Sequence, residues 1–134
     1  MIIKNFIIKI ILRLLPIYQY FLVKRLRHKK QINVVFYACS LAMWRYQHLY
    51  DEMSKYPRFK TTIAILPAWG YSKEQREKDE ETLKEYFSFR GIHYVLVEDE
   101  EGNCLNIKKK YKPDLIFYPQ PYGDFYRKEH KCNI

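Results

Sequence analysis

Three side chains that could act in chemistry lie within eight residues of one another: Trp44, His48 and Asp51. Their spacing would put an indole, an imidazole and a carboxylate on one face of a helix. An imidazole beside a carboxylate can exchange protons with a substrate, and an indole can stack against one. The alternative is a solvated surface histidine with an acidic helical neighbour. The pattern nominates Trp44 and His48 for substrate binding and assigns no catalytic residue.

A second candidate is the segment PQPYG at residues 119–123. Its two prolines stiffen the chain, so Gln120 and Tyr122 could present an amide and a phenol to a ligand. The other interpretation is a rigid turn between a strand and a helix. Gln120 and Tyr122 therefore join the substrate-binding candidates.

The motifs of common self-contained enzymes are missing from the sequence. Its four glycines are widely separated, so none forms a glycine-rich turn for a pyrophosphate. No Walker sequence, nucleophile elbow or His-Glu-x-x-His motif occurs. The three cysteines lack the spacing of metal ligands. We therefore predict no cofactor and no metal site.

Alternating strand and helix patterns must position these candidates. Residues 32–38 (INVVFYA) form a continuous apolar run, which is typical of a strand buried on both faces. After it, apolar residues at steps of four and three predict a helix from Ser40 to Tyr56. The core face of that helix is expected to contain Ala42, Tyr46, Leu49, Met53 and Tyr56.

A second helix is predicted at 72–90, opened by Ser72 with Gln75 in a capping box and ended by Gly91. Its charged first half is expected to be solvated. Further strands are predicted at 61–66, 92–97 and 115–118, with a short helix at 103–111.

Four such repeats predict an α/β fold, a Rossmann-like parallel sheet with helices on its faces. The expected strand order is 3-2-1-4, so the chain reverses direction between strands one and four. Ligands bind at such a reversal, beside the carboxyl ends of the strands. Residues 39–44 and 119–123 would line it.

The basic charge of the chain is concentrated in its first 30 residues. These contain eight cations and no acid, which leaves the remaining residues at +1 out of a total of +9. The folded body therefore lacks the excess of cations expected of a nucleic-acid-binding protein, and we predict no nucleic-acid partner. Residues 1–30 are assigned to a separate segment and residues 31–134 to the domain.

The N-terminal segment has the pattern of an amphipathic helix at a membrane surface. Cations and Pro16 interrupt its apolar stretch, which disfavours a membrane span and a secretory signal. An apolar face with cations beside it favours attachment to an anionic membrane surface. The alternative is a helix packed on this domain or on another one. The cations assigned to membrane contact are Lys4, Lys9, Arg13, Lys24, Arg25 and Arg27.

The cysteines indicate a cellular compartment. An odd number of widely spaced cysteines favours reduced thiols. Together with the basic helix, this predicts a peripheral protein on the cytoplasmic face of the cell membrane.

Two stretches resemble one known family. INVVFYACSLAMWRYQHLYDEMSKYPRFK and KPDLIFYPQPYG, in this order, are similar to the amino-terminal half of the CDP-glycerol glycerophosphotransferase family, the polymerases and primases of teichoic-acid-type chains. The resemblance covers about residues 31 to 127. It implies one half of a GT-B architecture, in which two Rossmann-like domains face each other across a cleft.

The resemblance also implies a division of labour between the two domains. The first holds a membrane-bound acceptor, and the second binds CDP-glycerol and contains the catalytic histidines. The chain stops at Ile134, before positions that could match those residues. We therefore expect a truncated acceptor-side domain that is inactive alone and needs a C-terminal donor-binding domain, in the same gene or a split partner. The alternative function is a non-catalytic interaction module at the membrane surface.

Overall fold

The structure is a computed structural model that describes the backbone of residues 2–120 and the side chains of residues 13–120. The chain divides into two compact units between Lys30 and Gln31. The helices are α1 (Ile2–His28), α2 (Gln47–Ser54), α3 (Lys73–Phe89) and α4 (Ile107–Tyr111), and the strands are β1 (Ile32–Ala38), β2 (Phe59–Ile65), β3 (Tyr94–Leu96) and β4 (Leu115–Phe117).

The first unit consists of α1, which continues through Pro16. Its described apolar side chains are largely exposed, including Leu14 at 55% and Phe21 at 61%. The side chains of Lys4 and Lys9 lie outside the described residues. Within the part of the chain that the structure describes, no helix has the length and apolar composition needed to cross a membrane.

The second unit is built on a parallel four-stranded sheet with the order β3-β2-β1-β4. This order confirms the predicted Rossmann-like topology. β1 pairs with β2 from Ile32 opposite Phe59 to Ala38 opposite Ile65. On its other side, β1 pairs with β4 from Val34 to Phe36. Strand β1 is therefore an interior strand, as its continuous apolar run predicts.

Alternate residues of β1 pack into two different cores. Phe36 points into an aromatic core, stacked on Phe117 with ring centroids 4.8 Å apart and edge-on to Tyr50 at 5.8 Å. Val35 and Tyr37 belong to the opposite, mainly aliphatic core, which also contains Ile107 of α4. Because both faces are covered along this strand, residues 34–38 are almost fully buried.

Helix α3 has the termini that its sequence predicts. The Ser72 hydroxyl accepts a hydrogen bond from the backbone N–H of Gln75, which is the N-cap half of the predicted capping box. The Gln75 side chain donates to Asp79 along the helix. At the other end, Gly91 has a φ of +65°, and the N–H of Ile92 donates to the carbonyl of Phe87. These are the bonds of a Schellman motif. Because Ile92 takes part in this helix end, β3 is shorter than the predicted strand.

The predicted helix from Ser40 to Tyr56 is wrong in its first half. A short 3₁₀ turn at Leu41–Met43 is followed by non-helical residues, and α2 begins only at Gln47. The break occurs because the Trp44 indole packs into the aromatic core, 5.2 Å from the ring of Phe87. The core face of α2 consequently includes Tyr50, whereas two residues of the predicted face, Leu49 and Tyr56, are exposed.

The predicted helix at 103–111 is also too long, since α4 starts at Ile107 after an Asn106 cap. The residues before it form a tight acidic turn. Its Asp99 carboxylate accepts the backbone N–H of Asn103 at 2.7 Å, and Gly102 has a φ of +81°. These local hydrogen bonds compete with helix formation at Asn103.

Helix α4 ends in an unusual backbone conformation. Lys112 follows the helix with a φ of +43° and a ψ of +56°, in the left-handed region. Glycine or asparagine usually occupies this position, and other residues incur about 1 kcal/mol or more of strain there. The Lys112 carbonyl accepts a hydrogen bond from the Asn33 side chain, so this strained turn contacts β1.

The dependence of the fold on the aromatic core can be measured with two matched substitutions. We expect Phe36→Leu to lower the free energy of unfolding by about 1–2 kcal/mol, because it removes buried ring contacts. Phe89 is 93% exposed, so Phe89→Leu should change that free energy by less than about 0.5 kcal/mol. Urea denaturation provides both values, and equal effects would contradict the assigned core.

Candidate functional site

The candidate site lies at the carboxyl edge of the sheet, where β1 and β4 are neighbours. The connection after β1 leads to α2, and residues 118–120 follow β4. The phenol of Tyr46 joins the two segments by donating to the carbonyl of Tyr118 at 2.6 Å. The bond therefore connects the two chain segments at the reversal point, which is the place where the connections after β1 and β4 diverge.

Trp44 is a core residue that supports this edge. Its side chain is 9% exposed and lies edge-on to the rings of Phe36 and Phe87. The indole N–H donates to the side-chain oxygen of Gln47 at 3.0 Å. Trp44 therefore holds the connection after β1 against α3, and its ring offers little surface to a ligand.

His48 is exposed on α2 and is separated from Trp44 by the break before that helix. The Asp51 carboxylate accepts from the side-chain amide of Gln47 at 2.8 Å and lies 3.4 Å from Arg90. The carboxylate is thus engaged by these two groups. Trp44 and Asp51 are therefore linked through the side-chain amide of Gln47, and the exposed His48 lies on the same helix as Asp51.

Gln47 is the residue at this edge that the sequence analysis missed. Its side-chain oxygen accepts from both Trp44 and the phenol of Tyr86, while its nitrogen donates to Asp51. One amide therefore ties the segment after β1 to α3. A glutamine at the start of a helix carries no sequence signal for such a role, because its partners come from a distant helix.

Gln120 lies at the predicted reversal point, directly after β4 and Tyr118 in the chain. Its side-chain nitrogen is buried, and none of the described residues accepts a hydrogen bond from it. Buried amide donors are nearly always paired, so we expect an acceptor for this nitrogen either in a ligand or in the part of the chain after residue 120. Tyr122, the other candidate from the PQPYG segment, lies outside the described residues.

A cavity of about 480 Å³ opens farther along the same edge, beyond β2 and β3. The Arg76 guanidinium stacks 4.1 Å above the Trp69 ring, and its Nε is buried without an acceptor among the described residues. Six carboxylates and three cations line the cavity. An aromatic ring among many hydrogen-bonding groups is suited to a ligand rich in hydroxyls.

One wall of this cavity is the acidic turn at residues 98–102, in which the Asp99 carboxylate accepts hydrogen bonds from Asn103. Hydrogen bonds from the side chain and then the backbone of Asn103 keep the pKa of Asp99 below its ordinary value. A lowered pKa means that the folded turn favours the ionised carboxylate. This contribution to stability is present at neutral pH and is lost as the pH falls through the lowered pKa.

Comparisons of the chain with family models, curated proteins and solved structures returned no match. Within residues 13–120, no three histidine, cysteine or acidic side chains are grouped so that they could hold a metal ion. The interpretation of the site consequently rests on its own geometry.

The link between the two sides of the reversal point can be tested with Tyr46→Phe. This variant loses the hydrogen bond to Tyr118, and we expect the free energy of unfolding to fall by about 1 kcal/mol. Tyr56 is 59% exposed, so Tyr56→Phe removes a hydroxyl at a solvated position and is the matched control. Thermal unfolding should separate the variants. Identical unfolding temperatures would show that the hydrogen bond does not hold the edge.

Proposed function

We propose that this chain is the acceptor-side domain of a CDP-glycerol glycerophosphotransferase-like enzyme acting in the synthesis of teichoic-acid-type polymers at the cytoplasmic face of the cell membrane. The observation that carries the proposal is the parallel sheet with the order β3-β2-β1-β4. Such a sheet is the framework of one GT-B lobe, and its reversal point offers a ligand site.

The residues behind the family resemblance support this framework. Asp114, from the stretch KPDLIFYPQPYG, accepts the backbone N–H of Asn33 at 3.0 Å and donates its own N–H to the Asn33 carbonyl. These bonds align β4 beside β1. The residues that carry the resemblance therefore build the reversal point. The catalytic groups for phosphoryl transfer are proposed to lie in a second, donor-binding lobe.

The cavity of about 480 Å³ at the carboxyl edge, called here the carboxyl-edge cavity, favours an acceptor that carries hydroxyl groups. Its carboxylates can accept hydrogen bonds from a polyol or sugar, and Trp69 provides an apolar ring surface.

The proposed reaction is phosphoryl transfer to a hydroxyl. The acceptor oxygen forms a bond to the β-phosphorus of CDP-glycerol, while the bond from that phosphorus to the bridging oxygen breaks. CMP leaves with the electron pair, and the hydroxyl proton passes to a general base of the donor-binding lobe. This chain's part is to hold and orient the acceptor, which supplies proximity rather than proton transfer.

The amphipathic pattern of α1 supports attachment to the membrane that holds the acceptor. Its described apolar side chains are mostly exposed, and its last turn contains Arg25, Arg27 and His28. Apolar insertion and attraction of cations to anionic lipids act together in such helices. Attachment would restrict the search for a lipid-linked acceptor to the membrane surface.

The test is CMP release from CDP-glycerol with a lipid-linked glycerol phosphate acceptor. The chain alone should show no release, and adding the polypeptide encoded immediately downstream should produce it. In the combined assay, Trp69→Ala should lower the rate about tenfold by removing about 1.4 kcal/mol of acceptor binding. Phe89→Ala, at a 93% exposed position, is the control and should retain the rate.

Two outcomes would contradict the proposal. Release by the chain alone would show that it contains the donor site. No release from the combined polypeptides, with both of them folded, would favour the alternative of a non-catalytic module at the membrane surface.

A further inference from the structure

A second cavity, of about 400 Å³, lies at the opposite, amino edge of the sheet. The register pairs Asn33 with Lys60 and Val35 with Thr62, so these four side chains point to the same face of β1 and β2. That face is the one on which α4 packs through Ile107. The end of α4 supplies Lys110, Tyr111 and Lys112 to the cavity.

The lining of this cavity is cationic. Three lysines, Lys60, Lys110 and Lys112, are among its nine lining residues, and none of the nine is acidic. Within the described residues, none of the three ammonium groups forms an ion pair. The Asp114 carboxylate belongs to the same edge, but it accepts the backbone N–H of Asn33 and does not line the cavity.

Compensation of a helix dipole does not account for this arrangement. Cations in the last turn of α4 could serve that purpose, but Lys60 comes from a strand about fifty residues earlier in the sequence. Lys112 takes up the strained left-handed conformation at a position where glycine would be relaxed. Backbone strain of this kind is concentrated at ligand-binding and active sites.

We infer that the amino-edge cavity binds a phosphate group through Lys60, Lys110 and Lys112. Lysine ammonium groups bind phosphate as point charges, and the Asn33 amide and Thr62 hydroxyl can donate further hydrogen bonds. The volume accommodates a phosphate with a small substituent such as glycerol. The source is either a free phosphate compound or the headgroup of a phospholipid. This site does not depend on the proposed transferase function, which concerns the other edge.

The test uses the full chain with two double variants of equal charge. Lys60→Gln/Lys110→Gln removes two cavity cations. Lys78→Gln/Lys108→Gln removes two exposed lysines that do not line the cavity. Backbone amide shifts of Asn33 and Thr62 are followed by NMR during titration with inorganic phosphate and with glycerol 3-phosphate. Binding to vesicles of phosphatidylcholine and phosphatidylglycerol is measured by flotation.

Each outcome is decisive. If the site takes free phosphate compounds, the Asn33 and Thr62 amides shift, and the cavity variant binds roughly tenfold more weakly than the control variant. If the site takes a lipid headgroup, the cavity variant loses vesicle binding roughly tenfold relative to the control variant. If the soluble compounds leave these amides unshifted and both variants float equally, the inference is overturned.

Lys112→Gly separates a ligand-binding role from a structural one. Glycine relieves the left-handed strain, so the unfolding temperature should rise. The phosphate affinity, measured by NMR titration or by vesicle flotation, whichever shows binding, should fall at least threefold. An unchanged affinity in this more stable variant would exclude Lys112 from the site.

Discussion

The second unit depends on the pairing and burial of one strand. β1 bonds to β2 through seven register pairs and to β4 through three, and its residues 34–38 are nearly inaccessible to solvent. A strand enclosed in this way needs apolar side chains on both faces, and INVVFYA supplies them. The reversal of chain direction between β1 and β4 follows from that central position, and the candidate site follows from the reversal.

The two faces and the two edges of the sheet have different chemistry. One face is packed by aromatic rings from β1, from the segment that precedes α2, from α2 itself, from α3 and from β4. The other face is mainly aliphatic, and its cavity at the amino edge exposes lysines. The carboxyl edge instead has an acidic cavity with a tryptophan. Two ligand classes, hydroxyl-rich at one edge and anionic at the other, therefore suit the same domain.

The sequence predicted the features that depend on neighbours in the chain. The bounds of β1, the Ser72 cap and the Gly91 stop follow from local patterns. The strand order follows from the Rossmann-like arrangement that the alternating strands and helices indicate. The break before α2 was missed because the burial of Trp44 against Phe87 is a tertiary contact. The hydrogen bonds of the Gln47 amide and the amino-edge cavity were missed for the same reason, because they too depend on tertiary contacts. Tyr86 reaches Gln47 from a distant helix, and Lys60 lies near the end of α4 only because of the sheet register.

The candidate site and the proposed function both require β1 and β4 to be neighbours, and backbone NMR can detect this pairing. Nuclear Overhauser effects should connect Val34 with Leu115 and Phe36 with Phe117, in parallel register. The amides of β1 should also exchange with solvent more slowly than those of β3, which lies at an edge of the sheet. Cross-strand effects that joined β4 to β3 instead would place the reversal elsewhere and contradict both the candidate site and the proposed function.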